Sequence, residues 1–185
     1  MRGRISKIYS AIIASALAIA CLYIVKEPIS AKLQAVEKLA PERPRAQTDI
    51  LGYFFVPDPD LPNAFCGIAY FYKKNAAITA RMVAVYHNGK IDDTANNPLE
   101  RTKGVPNNPF VCKFDFINNL VLQGDKYIGK VTDPDTNRTY RCRVWFDTKL
   151  QKLVVRGELL FFGLNQYWTP SKPLPRDMFD PESLK

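Results

Sequence analysis

The stretch YIGKVTDPDTNRTYRCRVWFDTKLQKLVVRGELLFFGLNQYW, from Tyr127 to Trp168, decides the fold of this 185-residue chain. Within it Tyr140, Cys142, Val144 and Phe146 alternate with Arg141, Arg143 and Trp145, the period of a strand with one apolar face. Ahead of them DPDTNR predicts a tight reversal. The Asp133 carboxylate reaches the amide two residues on, Pro134 presets φ, and Asn137 accepts the left-handed backbone that closes the turn. Together these predict a β-hairpin. Leu153 to Phe162, rich in Val, Leu and Phe, is expected to return as the neighbouring antiparallel strand. Gly157 and Gly163 interrupt it, and glycines in a strand suit the bulges and bends of a sheet that curves toward closure.

Toward the N-terminus the same pattern repeats. Leu51 to Val56 predicts a first strand, ended by the proline-rich PDPDLPN. Phe65 to Tyr72 predicts a second, with Cys66, Ile68, Tyr70 and Tyr72 on one face and Phe65, Gly67, Ala69 and Phe71 on the other. Both faces are apolar, so both are expected to be covered, one by core and the other by a loop, a helix or a ligand. Ile78, Ala80, Met82, Ala84 and Tyr86 predict one face of a third strand, followed by an Asn88-Gly89 hairpin turn. Asp92 to Pro109 reads as a long polar loop, expected to act as a lid, and Phe110 to Leu122 resumes the sheet. The count comes to about eight strands, enough for a small antiparallel barrel that is either filled or holds one ligand.

The residues carrying the reversal and the returning strands also carry a family likeness. The order G-K-V-x-D-P-x-x-N-R-x-Y, then V-R-G, then F-G-x-N-Q-x-W resembles a bacterial family of small exported proteins, the domain of unknown function twenty-one forty-seven, which reads D-P-x-x-G-K-x-Y, V-R-G and G-R-x-Q-x-W. Asn137 and Arg138 stand where the family has Gly-Lys, and Leu164-Asn165 stand near its Gly-Arg, so an arginine is absent there. The likeness extends back to about Leu51. It implies an all-β, lipocalin-like up-and-down barrel, secreted and without an established activity.

The N-terminus points outward from the cytoplasm. Arg2, Arg4 and Lys7 precede an apolar run from Ile8 to Val25, and Lys26, Glu27 and Pro28 end it. Three fates fit the run: cleavage after Ala31, retention as a membrane-anchoring hydrophobic helix, or lipidation at Cys21. Residues 1–31 are therefore assigned to signal or anchor, 32–48 to a linker, 49–172 to the barrel and 173–185 to a polar tail. Removing the first 31 residues takes away four Lys/Arg and one Glu, so the net charge falls from +8 to +5. Without a basic run, and with an export signal, nucleic acid is not an expected partner.

Catalytic chemistry finds little support. Ser171 and Ser183 are the only serines after Ala31 and His87 the only histidine, too far apart in sequence to suggest a triad. Asp133-Pro134-Asp135-Thr136-Asn137 opens like a calcium loop but has Arg138 at the glycine position and Val144 where a glutamate should close it. No other metal or cofactor motif occurs. Cys66, Cys112 and Cys142 remain in the mature chain. Cys66 and Cys112 each enter a strand from a proline-containing loop, and the family has cysteines near both places, which implies a disulfide between them. Cys142 reads as core.

The candidate ligand-binding residues are Asp92, Asp93, Asn96 and Asn97 on the lid, matching the family's acidic-Asn-Asn-Pro segment, with Arg156 and Trp168 on the barrel; local capping and turn hydrogen bonds are the more ordinary role of the first four, and core or barrel-end packing that of Trp168. Arg156, if inward, needs Asp115, Asp133 or Glu158 as partner, or an anionic head group. The expected function is non-enzymatic binding of a small apolar or amphipathic molecule in a hollow that the lid shades. A structural or protein-interaction module of the cell envelope is the alternative.

Overall fold

A computed structural model describes residues 45–159 and 162–184. The expected signal or anchor, and the linker up to residue 44, lie outside the described residues. Among the described residues nine strands form: β1 (Gly52–Pro57), β2 (Phe65–Lys74), β3 (Ala77–His87), β4 (Lys90–Thr94), β5 (Asp115–Gln123), β6 (Lys126–Thr132), β7 (Thr139–Asp147), β8 (Lys152–Leu159) and β9 (Phe162–Pro170). Eight of them follow chain order around a closed antiparallel ring, β1-β2-β3-β5-β6-β7-β8-β9, and β9 returns to β1. The short β4 pairs with the far half of β3, beyond the part that β5 takes. Asp92 and Asp93 are thus strand residues, and the long loop begins only after Thr94.

The turn chemistry holds as predicted. The Asp133 carboxylate accepts the Asp135 amide at 2.8 Å and the Thr136 hydroxyl at 2.8 Å, and Asn137 sits at φ 56°. Asn88 and Gly89, at φ 54° and 77°, close the β3–β4 hairpin. One strand reading is corrected. Leu153 to Phe162 is not a single strand: Leu159 pairs with Phe162, so the chain reverses between them and Gly163 belongs to β9.

Bulges reverse two of the predicted faces. Ala69 pairs with Met82 and Ile68 with Ala84, leaving Val83 as an extra residue. Beyond it the alternation flips. Ile78, Ala80, Met82 and Val85 face the interior, while Ala84 and Tyr86 join the outside. On β2 the register shifts beside Cys66, which turns inward away from Ile68 and Tyr70.

The interior is filled. Phe54, Phe71, Phe116, Phe146 and Trp168 belong to one continuous apolar cluster. Phe71 lies edge-on to Phe54 at 5.6 Å and to Trp168 at 6.0 Å, and Trp168 lies 6.2 Å from Phe116. These rings occupy the centre where a carrier would hold its ligand. One end is closed by residues that the sequence assigns partly to the linker: the Phe146 amide donates to the Gln47 carbonyl, and the Arg45 guanidinium lies 5.0 Å over Phe54 while donating to the Leu51 carbonyl. At the other end the loop after β4 docks on the β6–β7 turn, where the Lys103 and Gly104 amides both donate to the Pro134 carbonyl. The lid is therefore a packed cap.

The outer face of β1, β2 and β3 is covered too, as its apolar residues require. Phe179, 1% exposed, packs with Tyr53, Phe55, Ile68, Val83 and Ala84. Residues 173–184, expected to be a polar tail, are instead the cover of this second core. The disulfide expected between Cys66 and Cys112 is not formed. Cys66, Cys112 and Cys142 are all buried free thiols, and Cys66 donates to the Val56 carbonyl while Cys112 donates to that of Asp93. Burial pushes the Cys142 thiol up to about 12 and raises Cys66 and Cys112 as well, which suppresses the nucleophilic thiolate.

Candidate functional site on the outer wall

On β7 the inward set Cys142, Val144 and Phe146 forces Arg141, Arg143 and Trp145 outward. The register then lines up their neighbours. Arg141 is opposite Glu158 and Arg143 opposite Arg156 on β8, and Arg156 is in turn opposite Asn165 on β9. From β6, Lys126 places its ammonium 4.5 Å over the Trp145 ring. Together with Phe162 these side chains line an open cleft of about 450 Å³, a volume in the range of small-molecule sites.

The cleft's electrostatics are unbalanced. Lys126, Arg141, Arg143 and Arg156 surround one carboxylate, Glu158. That carboxylate is shared three ways, at 2.8 Å to Arg143 Nε and 3.6 Å to both Arg141 Nε and Arg156 Nε. Arg143 Nε touches it without aiming its N–H at the oxygen, so this buried nitrogen makes no hydrogen bond. Arg156 donates to the Asn165 side-chain oxygen at 2.9 Å. Its guanidinium lies flat on β9, where a Cβ at Gly163 would fall 2.6 Å from it. Guanidinium forks with spare donors, beside an indole and a phenyl ring, suit an anion joined to an apolar body.

The structure scatters the residues that the sequence nominated. Arg156 faces outward into the cleft, away from the interior, and its carboxylate neighbour is Glu158; Asp115 pairs with Arg81 and Lys74, and Asp133 caps its own turn. Trp168, 2% exposed, is an interior core residue whose indole N–H donates to Gln166. Asp93, fully buried, accepts the Leu99 and Glu100 amides at 3.0 and 2.9 Å and so shapes the loop. Asn97 donates its amide to the Thr94 hydroxyl, and the Asn96 side chain donates to the Arg176 and Asp177 carbonyls. Asp92 contacts His87 Nδ1, with Glu100 3.6 Å from Nε2. Burial alone lowers the His87 pKa, yet the two carboxylates raise it overall. These four lid residues tie β4, the loop and the C-terminal segment together rather than converge on an opening. Lys126, Arg141, Arg143 and Trp145 went unrecognised in the sequence, although the R-x-R-x-W alternation already put three of them on one face.

Residues 57–170 match the sequence model of a family described as uncharacterized protein conserved in bacteria (DUF2147). No curated protein matches. Among solved structures, protein HP1028 from Helicobacter pylori, described as belonging to the lipocalin family, aligns over 67% of this chain and 84% of that one with a TM-score of 0.51 and 16% identity. At that identity the likeness is one of fold.

Proposed function

Since the chain belongs to the DUF2147 family of uncharacterized bacterial proteins, and its lipocalin-like barrel has a filled centre, we propose that it is a non-enzymatic binding protein that works with its outer wall. Its ligand is a small amphipathic molecule with an acidic head. The single observation that carries this reading is the cleft in which Lys126 and three guanidiniums face the one carboxylate of Glu158. An acidic head offsets the excess positive charge, and the apolar body covers Trp145 and Phe162.

Trp145 lines the cleft while Trp168 is buried, so indole emission reports on the site. Decanoate is expected to shift Trp145 emission saturably, and Trp145→Phe to remove the signal. The double variant Arg143→Gln, Arg156→Gln should weaken decanoate by at least about tenfold, because hydrogen bonds to charged groups contribute about 1.5–3 kcal/mol each. Decanol binding as well as decanoate, or a double variant that binds normally, would sink the reading.

The basic residues ahead of the Ile8-to-Val25 run support a place outside the cytoplasm, periplasmic or secreted, with cleavage after Ala31. Intact mass of the protein from its host, alkylated while denatured but not reduced, tests this together with the thiols. Expected is a chain beginning at Lys32 with three alkyl groups, one on each free cysteine. A chain retaining residues 1–31 contradicts cleavage, and a single alkyl group with Cys142 as its site by peptide mapping restores the Cys66–Cys112 bond.

A second reading, a protein-interaction module of the envelope, is favoured by the filled interior, which leaves the exterior as the working surface.

A further inference from the structure

We infer that the open edge of β9, from Gly163 to Tyr167, docks an extended segment of a partner protein that alternates acidic and apolar side chains. This rests on the interaction-module reading. β9 pairs with β8 along Phe162 to Trp168, but with β1 only at Thr169 and Pro170. Among the described residues no strand lies on the other side of Gly163 to Tyr167.

Which groups face that gap follows from strand alternation. The Ser171 amide donates to the Tyr53 carbonyl of β1 at 2.8 Å, and the β8–β9 register runs without a bulge. Backbone N–H and C=O groups of every second residue point the same way, so those of Gly163, Asn165 and Tyr167 point away from β8. Such an unpaired row is a template for an added strand.

The surroundings select the occupant. On the outer side Arg156 lies across Gly163 and holds Asn165, within about one strand spacing, roughly 4.8 Å, of an added chain. Arg143 and Arg141 stand behind it. Outward side chains of that chain should therefore be acidic. On the opposite face the same stretch presents Leu164, half-buried, which suits an apolar side chain. Two copies joined β9 to β9 would set one Arg156 guanidinium against the other on the same face, so like charge disfavours self-pairing.

The test titrates the full-length chain with a short labelled peptide alternating Glu and Val, and with its Lys/Val counterpart, by fluorescence anisotropy. The acidic peptide should bind at least about tenfold tighter than the basic one. Asn165→Pro should weaken it by at least about tenfold, because proline removes an edge donor while leaving the β8 ladder intact. Asn165→Ala keeps the amide and should change affinity by less than about threefold. Unchanged circular dichroism confirms that both variants fold.

Peptide binding that Asn165→Pro leaves untouched would overturn the edge but keep an interaction module. Equal binding of the two peptides, or none, would overturn the acidic occupant. Dimers that Asn165→Pro abolishes would replace it with a second copy. Decanoate affinity equal in Asn165→Pro and Asn165→Ala separates this edge from the cleft.

Discussion

Trp168→Ala is expected to lower unfolding free energy by about 3–5 kcal/mol, the cost of deleting a large core aromatic. The indole is nearly fully buried in the barrel centre, touches Phe71 and Phe116, and donates its N–H to the Gln166 side chain at 3.0 Å. Removing it leaves a cavity bounded by strands on all sides, which a closed ring cannot collapse to fill. It also strands the Gln166 oxygen. Trp168→Phe, which keeps a ring but loses the donor, should cost less. Denaturant titrations of the three proteins by circular dichroism decide the matter, and a loss below about 1 kcal/mol for the alanine variant would mean that the centre is not packed as described. That outcome would reopen the carrier reading, because a slack interior leaves room for one small ligand at the barrel centre.

Phe179→Ala should cost nearly as much, about 3–4 kcal/mol, although it lies in the last few residues of the chain. The ring stands edge-on to Tyr70 at 5.2 Å and to Tyr53 at 6.1 Å. It shields the outer apolar faces of β1, β2 and β3, with Leu174 and Leu184 beside it. The segment is pinned by the Asn96 amide donating to the Met178 carbonyl and by the Asn96 side chain on the two carbonyls before it. Truncation after Lys172 should go further: the uncovered Tyr53, Phe55 and Ile68 form an apolar patch that binds a hydrophobic dye and promotes association. Dye fluorescence and light scattering of the truncated protein measure this. A truncated chain as stable and as dye-silent as the whole would show that the segment is an appendage.

The two results bear on function through the same fact. With the interior filled and the β1–β3 exterior covered, the remaining chemically unusual wall is that of β6 to β9, where four cations meet one carboxylate. Arg141 and Arg143 bring the charge, and Gly163 leaves room for Arg156 to lie across the neighbouring strand. A larger residue at Gly163 would lift that guanidinium off β9 and change both the cleft and the edge beside it.

Much of this was legible from residue order. The alternation of Tyr140 to Phe146, the Asp133-to-Asn137 reversal and the Asn88-Gly89 turn are local: a side chain two residues away, or the backbone freedom of one Asn or Gly, settles each of them. The two-sided apolar character of β2 also announced a second covered face, without saying what covers it. What local order could not reveal were the events that depend on a partner strand. The extra residue at Val83 is defined only by its register against β2, and it alone decides that Ala84 and Tyr86 leave the interior. Local capping was the expected role of Asp93, but nothing in its neighbours shows that the two amides it accepts lie six and seven residues on.

The chain order by itself therefore determined strands, turns, handed reversals and barrel class, since these follow from side-chain period and backbone stereochemistry over a few residues. Tertiary packing alone decided that the centre is solid, that the C-terminal segment closes a second core, and that Arg156 faces solvent beside Arg143, because each depends on which distant strand comes to lie alongside and at what register.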